Sequence, residues 1–300
     1  MIGILGTVLA GLVGLAFGSF LNVCLSRWPA GESVVKPRSH CRTCKRTLAW
    51  WENVPLLSWL ALRGNCRTCG TWIGWRYPLV ELAVGGLWAM IVWQFLDRFS
   101  GTPAADIPIS YSPLFLLQTA VTIGGKMLLT WLLVGLAALD AEHLWLPNIV
   151  TLPGIILGVV VSVLRGYPLV ATTYLSLSVL NQLLRLAFSI LISGGLVLLI
   201  RWIYWLIRRR EGIGLGDAKL MAMLAAWLGL PGALLAFAIG VVLGAIVGLI
   251  LLATPKLRRS ESSWALTKLP LGTFLCTGGI VSALWGRPIL AAYLRWSGLS

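Results

Sequence analysis

Two aspartates, Asp140 and Asp217, are the residues of this 300-residue chain whose type and position could perform hydrolysis. Asp140 ends one apolar run, and Asp217 opens another after the segment Gly214-Leu-Gly216. Two carboxylates within hydrogen-bond reach titrate as a pair, so one can activate a water while the other protonates a carbonyl. Gly214 and Gly216 have no side chains, so an extended substrate could approach Asp217 closely. The pattern predicts an aspartyl hydrolytic site with Asp140 and Asp217 as catalytic residues and Gly214 and Gly216 beside the substrate.

Other interpretations of the aspartates remain open from their type and position alone. Both could lie at helix ends in solvent, where Asp217 would be an ordinary N-terminal cap. Paired carboxylates also suit hard cations, which would make the protein an ion or metal transporter. His143 follows Asp140 by one turn and could assist either chemistry, although an interfacial histidine is the more common case. An ionisable side chain at membrane depth is costly, and this favours a functional role for the two aspartates.

Four of the six cysteines form a pattern typical of a metal site: Cys41-x2-Cys44-x21-Cys66-x2-Cys69. Two such pairs can supply four thiolates to a tetrahedral zinc ion. Four protein ligands leave no position for a reacting water, so the zinc is predicted to be structural. Reduced cysteines without metal are the alternative, and a cytoplasmic location disfavours disulfides. Cys24 and Cys276 lie in apolar runs and are predicted to be small packing residues.

The elements that must position these residues are predicted to be membrane-spanning helices. The chain is 58% hydrophobic and 11% charged, which excludes a soluble domain. We predict an all-α polytopic membrane protein of about eight transmembrane helices, with a small cytoplasmic zinc-binding loop module and no internal repeat. The spans are expected near residues 1–25, 79–96, 119–139, 149–164, 186–206, 217–229, 233–253 and 271–293. The first is expected to be retained rather than cleaved, because no basic residue precedes it.

Charge distribution predicts which side of the membrane each loop occupies. The net charge of +14 comes from Lys and Arg in the segments between apolar runs. Such residues remain on the cytoplasmic side, so the charge needs no nucleic-acid partner and none is expected. The basic segments 27–77, 208–210 and 256–268 are predicted inside, and the segments 98–117 and 166–185 outside. This topology brings both aspartates to the cytoplasmic edge of the bilayer.

With these features in place, the sequence resembles the bifunctional type IV prepilin peptidases. Gly214-Leu-Gly-Asp217 looks like the Gly-x-Gly-Asp signature of membrane aspartyl proteases, and Asp140 looks like the family's first catalytic aspartate. The family typically has Pro-Asp where this chain has Pro147-Asn148, and the interval between the two aspartates is longer than usual. Further matching motifs, in order, are Phe17-Gly-Ser-Phe-Leu-Asn22, Pro37-Arg-Ser39, Trp51-Glu-Asn-Val-Pro55, Ser58-Trp-Leu60, Arg63-Gly64 and Arg76-Tyr-Pro-Leu-Val-Glu81.

The resemblance implies an enzyme of the bacterial inner membrane with its active site facing the cytoplasm. Family members cut type IV prepilins or type II secretion pseudopilins just before the hydrophobic helix. Many then methylate the new N-terminal amine, with S-adenosylmethionine as the donor. The implied organisation is a first transmembrane helix (1–26), a four-cysteine zinc module associated with methyl transfer (27–77) and a transmembrane peptidase domain (78–300). The expected partners are the pilin-like substrate and the lipid bilayer.

Glu81 is expected to bind the substrate's new amine, because of its charge and its depth at the start of a span. It could equally be a structural partner of Arg76 or Lys219. No Gly-rich nucleotide motif occurs in 27–77, so the residues that bind the methyl donor are not predicted. The remaining alternatives are a peptidase without methylation and a non-catalytic scaffold with a zinc module.

Overall fold

The computed structural model describes residues 2–97, 113–166, 175–209, 214–253 and 269–298, and these are largely helical. An irregular segment with one short helix interrupts the long helices in the first hundred residues. The helices are α1 (Ile2–Arg27), α2 (Leu57–Ala61), α3 (Arg76–Asp97), α4 (Pro113–His143), α5 (Asn148–Gly166), α6 (Leu175–Arg208), α7 (Leu215–Ala253) and α8 (Leu271–Trp296). Over these ranges, β structure is limited to two isolated bridges, His40–Thr47 and Asn65–Trp72.

Seven helices in the described part of the chain are long and apolar enough to cross a membrane. The longest, α7, is interrupted at Gly229, whose φ of 70° and ψ of 176° are not helical. Only glycine adopts such angles without strain, so α7 consists of two consecutive helices, 215–228 and 230–253. These two helices correspond to the two spans predicted on either side of this turn. The prediction of an all-α polytopic membrane protein with about eight transmembrane helices is confirmed: the described residues contain seven candidate spans, and one of them, α7, is divided at Gly229.

Parts of the predicted loops lie outside the described residues. These parts are 98–112 of the first outer loop, 167–174 of the second, Arg210 and the basic segment 256–268. The remainder of the first outer loop, 113–117, is the start of α4 rather than a loop. Most of the remainder of the second, 175–185, is the start of α6.

The chain divides into two compact units, of which the first comprises Met1–Ser110 and Lys126–Gly135. In this unit α1 packs against α3. A Cβ at Gly14 would lie 2.9 Å from Cα of Gly85, and one at Gly18 would lie 2.7 Å from Cα of Glu81. Small residues four positions apart allow two membrane helices to approach closely, so this pair fixes α1 against α3. Near its end α1 is tied to α3 by Asn22, whose Nδ2 donates to the carbonyl of Tyr77 at 2.9 Å.

The second unit comprises Tyr111–Gly125 and Leu136–Ser300, with α7 packed against α5, α6 and α8. Much of the first half of α7 is fully buried, including Met221 and Leu224. Side-chain hydrogen bonds to backbone carbonyls join the helices: Trp227 Nε1 donates to Gly154 at 2.8 Å, and Ser282 Oγ donates to Gly232 at 2.8 Å. Between apolar helices in lipid, close packing and such bonds replace the hydrophobic effect as the source of association.

Candidate active site and cysteine cluster

Asp140 lies in the last turn of α4, buried at 6% exposure. Its Oδ2 accepts a hydrogen bond from the backbone N–H of Thr273 at 2.7 Å, and the Thr273 hydroxyl lies 3.1 Å from the same oxygen. Thr273 is in the first turn of α8, where backbone N–H groups have no partner within the helix and the helix dipole favours negative charge. The N-terminus of α8 therefore holds one carboxylate oxygen of Asp140 in place.

Asp217 lies in the first turn of α7 and is buried at 8% exposure. Its Oδ2 accepts a hydrogen bond from the N–H of Gly214 at 3.2 Å. Gly214 immediately precedes the helix, and Asp217 is the third residue within it, so this contact is one half of a capping box. Asp217 thus does cap a helix, as one alternative had it, but it does so from a buried position rather than in solvent.

The second unit brings the two aspartates together. They interact electrostatically with each other, and the fully buried Cys276 of α8 interacts with both. Leu146 borders the same place: a Cβ at Gly216 would lie 3.0 Å from Cβ of Leu146, and one at Gly272 would lie 3.0 Å from its Cδ1. The same Cβ at Gly272 would lie 2.9 Å from the Asp140 carboxyl. Two buried carboxylates in one small region can share a proton and polarise a water between them.

Sequence analysis did not identify Thr273 and Gly272 as site residues. Their segment, Pro270-Leu-Gly-Thr273, begins a helix with a proline directly before it and a hydroxyl residue in its first turn. Such residues are common at helix starts, so the pattern by itself indicates only the helix boundary. Cys276, predicted to be a small packing residue, is buried as expected but lies beside both aspartates.

The four cysteines Cys41, Cys44, Cys66 and Cys69 converge in the first unit. Their Sγ atoms all lie within 4.8 Å of one another, with Cys41–Cys69 at 3.7 Å and Cys44–Cys66 at 4.0 Å. A tetrahedral zinc–thiolate site with bonds of about 2.3 Å requires sulfur–sulfur distances of about 3.8 Å. The cluster therefore has the size and donor set of a four-cysteine zinc site.

Hydrogen bonding favours the thiolate form at two of the sulfurs, Cys66 and Cys69. At Cys44 the backbone of Arg46 acts in the same direction, but desolvation and hydrogen bonds with the other three thiols outweigh it and raise the pKa to about 11. Hydrogen bonds with Thr71 lower the pKa of the Cys69 thiol to about 6. Backbone N–H groups of Cys69 and Thr68 lower the pKa of the Cys66 thiol. Because a metal binds the deprotonated thiol, these pKa shifts reduce the free energy needed to prepare the ligands.

The cysteine pairs occupy two copies of one local structure. Cys-Arg-Thr-Cys occurs at 41–44 and again at 66–69, a short repeat that sequence analysis missed. In each copy the first cysteine's N–H donates to a carbonyl five residues on, Arg46 at 2.9 Å and Thr71 at 2.8 Å. A residue with positive φ closes each loop, Lys45 at 59° and Gly70 at 68°. Two equivalent loops thus present two thiols each to a common centre.

Two further contacts support this segment. The carboxylate of Glu52 is buried, lies 2.6 Å from Nη2 of Arg46 and accepts the N–H of Ala49 at 2.7 Å. The Arg46 hydrogen bond holds the pKa of Glu52 below its usual range. The rings of Trp59, Trp72 and Trp75 pack together with centroids 4.7 to 5.8 Å apart. The segment therefore combines a cluster of three tryptophans, two of them exposed, with the candidate metal site.

Glu81 is buried at the start of α3, in the same unit as the cysteines. Its Oε2 accepts the N–H of Leu56 at 2.8 Å, and its side chain also bonds that of Ser19. Lys219, considered as a partner for Glu81, instead donates to Oδ1 of Asn148 at 2.7 Å. Glu81 thus joins α3 to the cysteine-bearing segment and to α1.

Comparisons with known proteins agree over nearly the whole chain. Residues 12–95 match the bacterial peptidase A24 N-terminal domain, and residues 127–249 match the type IV leader peptidase family. A prepilin leader peptidase/N-methyltransferase of Stutzerimonas stutzeri is 32% identical over 98% of this chain and 96% of its own length. The protein of that name from Pseudomonas aeruginosa is 33% identical over 96% and 93%, respectively.

A third relative of the same name, from Myxococcus xanthus, is 36% identical over 82% of this chain and 63% of its own length. No solved structure matches the chain. The first two relatives cover almost all of both chains, and the family matches include both the cysteine cluster and the aspartates. The chain therefore belongs to the type IV leader peptidase family, a family of membrane aspartic peptidases.

Proposed function

We propose that this enzyme cleaves the leader peptides of type IV prepilins or type II secretion pseudopilins with Asp140 and Asp217, and then methylates the new N-terminus. The observation that carries the proposal is the pair of buried aspartates, which come from the end of α4 and the start of α7 and interact electrostatically. The names of the relatives, prepilin leader peptidase/N-methyltransferase, support the substrate class and both activities.

Hydrolysis proceeds by general acid–base catalysis without a covalent intermediate. One aspartate takes a proton from a water whose oxygen attacks the scissile carbonyl carbon, while the other donates a proton to the carbonyl oxygen. When the tetrahedral intermediate collapses, the amine leaves with a proton from the pair. The N–H and hydroxyl of Thr273 contact Oδ2 of Asp140, which fixes the orientation of this carboxyl group towards the water. Gly214 and Gly216 lie beside the extended substrate backbone.

The active site faces the cytoplasm of a bacterium whose inner membrane holds the protein. Between Asp140 at the end of α4 and Asp217 at the start of α7, the chain crosses the membrane twice, through α5 and α6. Both aspartates therefore lie at the same membrane face. Basic residues remain on the cytoplasmic side, and the position of Arg208 and Arg209, at the end of α6 and directly after it, supports a cytoplasmic location for this face. A prepilin's basic leader meets its hydrophobic helix at that depth.

The cysteine-bearing segment is a structural zinc module within the proposed 27–77 domain, between the first helix (1–26) and the peptidase domain (78–300). Cys41, Cys44, Cys66 and Cys69 would hold the zinc ion, which would join the two knuckle loops; the sulfur spacing and the thiolate-favouring hydrogen bonds at Cys66 and Cys69 suit it. Four thiolates would fill the coordination shell of a zinc ion, so the metal would supply structure and no chemistry on the substrate.

Methylation takes place in the first unit. S-adenosylmethionine, when bound, supplies an electrophilic methyl group attached to a sulfonium. Glu81 binds the substrate's new amine, because it is a buried carboxylate at the start of a membrane helix with one oxygen held by Leu56. The carboxylate orients the amine and accepts its proton.

Cleavage of a full-length prepilin in reconstituted membranes tests the aspartate pair. We expect Asp140→Asn and Asp217→Asn each to lower the cleavage rate at least about a hundredfold, because each removes one of two cooperating proton-transfer groups. Glu142→Gln is the matched control, since Glu142 is an exposed acid two residues from Asp140. Its cleavage rate is expected to equal that of the unaltered protein.

The variants must retain thermal stability and zinc content for the comparison to hold. Cleavage at the unaltered rate by either asparagine variant would overturn the aspartyl mechanism. Mass spectrometry of the product's N-terminus reports methylation separately, so a peptidase without methyltransferase activity is recognised by an unmodified amine.

A further inference from the structure

The first unit contains a cavity of about 260 Å3, whereas both aspartates belong to the second unit. Its wall comes from three parts of the chain: α1, the start of α3 and the cysteine-bearing segment. Its lining includes the polar or aromatic side chains of Asn22, Glu81, Arg46, Trp59 and Trp72. The cavity therefore adjoins both the candidate zinc site and the proposed amine-binding carboxylate.

Unpartnered polar atoms are concentrated in the wall of this cavity. Asn22 is 2% exposed, and its Oδ1 has no hydrogen-bond partner, although its Nδ2 does. Nε1 of Trp59 and Nε of Arg46 are also buried without a partner. Three of the six such atoms found in the described ranges thus line one cavity. A buried polar atom without a hydrogen-bond partner destabilises the fold, so the grouping of these atoms points to a polar ligand that satisfies them together.

The arrangement of these groups specifies the ligand's chemistry. Oδ1 of Asn22 and the carboxylate of Glu81 accept hydrogen bonds and favour positive charge, such as ammonium or sulfonium. Nε1 of Trp59 and Nε of Arg46 donate, and suit a carboxylate or the ring nitrogens of a base. Trp59 and Trp72, with ring centroids 5.6 Å apart, offer apolar faces to a planar base. A ligand with all three features is a nucleoside that carries a charged amino-acid chain.

The motifs that carry the family resemblance converge on the same cavity. Ser19, Asn22, Glu52, Asn53, Trp59 and Tyr77 all line it, and they come from four separate motifs spread over 59 positions of sequence, 19 to 77. None of these residues has a role in the aspartate site, which belongs to the second unit. Their convergence supports a second binding site rather than a packing defect.

We propose that this cavity is the methyl-donor site, in which Asn22 and Trp59 bind S-adenosylmethionine beside Glu81; the proposal rests on the methyltransferase half of the proposed function. Glu81 takes a proton from the substrate's ammonium. The amine nitrogen then attacks the methyl carbon, and the nitrogen–carbon bond forms as the sulfur–carbon bond breaks with its electron pair going to sulfur. The products are a methylated ammonium and the neutral thioether S-adenosylhomocysteine, and Glu81 returns its proton to solvent.

The size of the cavity is consistent with this ligand. Sites for small molecules typically enclose roughly 300–1,000 Å3, and a cavity of about 260 Å3 holds most of a methyl donor with one end towards solvent. The opening also gives the substrate's amine a route to Glu81. Asn22 on α1 and Glu81 on α3 are held at a fixed separation by the close packing of those helices.

Equilibrium dialysis of methyl-tritiated S-adenosylmethionine against the full-length, zinc-loaded protein tests the site directly. We expect saturable binding of one molecule per chain. Asn22→Leu removes the free acceptor and is expected to raise Kd about tenfold or more. Trp59→Phe removes only the N–H and keeps an aromatic ring, and is expected to raise Kd several-fold. Trp75→Phe is the matched control, because Trp75 packs against Trp59 at 4.7 Å but does not line the cavity; its Kd should not change.

Zinc content and prepilin cleavage, measured on the same samples, separate loss of the site from loss of the fold. If Asn22→Leu loses zinc, the Kd of the Trp59→Phe variant tests the site instead. Photolabelling of the unaltered protein with S-adenosylmethionine is a second, independent test. Labelled peptides from 19–27, 39–73 or 77–81 support the site, and labels elsewhere overturn it. If the folded variants bind S-adenosylmethionine with an unaltered Kd, the assignment of the donor to this cavity is wrong, but the proposed methyltransferase activity is not affected. Unaltered protein that cleaves but neither binds the donor nor methylates overturns the methyltransferase half of the proposed function.

Discussion

Thr273 orients the proposed catalytic carboxyl group of Asp140, although the two residues are distant in sequence. Its N–H and hydroxyl both contact Oδ2 of Asp140, and the hydroxyl also lies 3.0 Å from the carbonyl of Ala137. The two contacts fix the carboxyl group relative to both α4 and α8. A carboxylate with one oxygen anchored in this way presents the other in a single direction, which general base catalysis requires.

We therefore predict that Thr273→Val slows prepilin cleavage by about ten- to a hundredfold. A hydrogen bond to a charged group contributes about 1.5–3 kcal/mol, and each 1.36 kcal/mol is a factor of about ten in rate. Thr273→Ser keeps the hydroxyl and should retain most of the activity. Thr277→Val, one turn further along α8 at an exposed position, serves as the control. Single-turnover cleavage rates give the comparison, and a Thr273→Val rate equal to that of Thr277→Val would exclude the positioning role.

At the scale of helices, the apolar runs predicted the membrane spans because bilayer thickness imposes a minimum apolar length. The same physics made Asp140 and Asp217 conspicuous, since charged groups are rare at membrane depth. The role of Thr273 could not be predicted, because the Asp140 contact joins residues 133 positions apart. The lack of a hydrogen-bond partner for Oδ1 of Asn22 could not be predicted from the sequence either, because it depends on how α1, α3 and the cysteine-bearing segment pack together.

Gly229 divides the 39-residue α7 into two helices by adopting backbone angles that are strained for any residue with a Cβ. We predict that Gly229→Ala destabilises the protein by about 1–3 kcal/mol, because a Cβ is strained at a φ of 70° and a ψ of 176°. This corresponds to a decrease of several degrees in the midpoint of thermal unfolding.

Thermal unfolding in detergent micelles measures the effect of Gly229→Ala, with Gly195→Ala of α6 as the control. A Cβ at Gly195 meets no other atom within 4 Å and lies in regular helix, so this substitution should leave the midpoint nearly unchanged or raise it. Equal midpoints for the two variants would mean that α7 tolerates a continuous helix through residue 229.

For the whole molecule, the residues proposed for the two reactions lie in different compact units. The aspartates, Thr273 and Cys276 belong to the second unit, whereas the cysteine cluster, Glu81 and the cavity belong to the first. The two family matches follow the same order along the chain, with the cysteines in residues 12–95 and both aspartates in residues 127–249. A protein that performs two reactions in succession can thus lose one without losing the other.

Zinc removal tests whether the two reactions depend on different units. We predict that a high-affinity chelator abolishes methylation of a cleaved prepilin, while the rate of cleavage falls less than about twofold. The reason is that the proposed zinc ligands are thiolates of the first unit, whereas the proposed hydrolytic mechanism uses carboxylates of the second. The double variant Cys41→Ser/Cys44→Ser should behave like the chelated protein, and Cys24→Ser, which alters a buried cysteine outside the cluster, should behave like the unaltered one. Zinc stoichiometry, cleavage and methylation are measured on each sample. Parallel loss of cleavage and methylation as zinc is withdrawn would show instead that the metal-bound module maintains the peptidase as well.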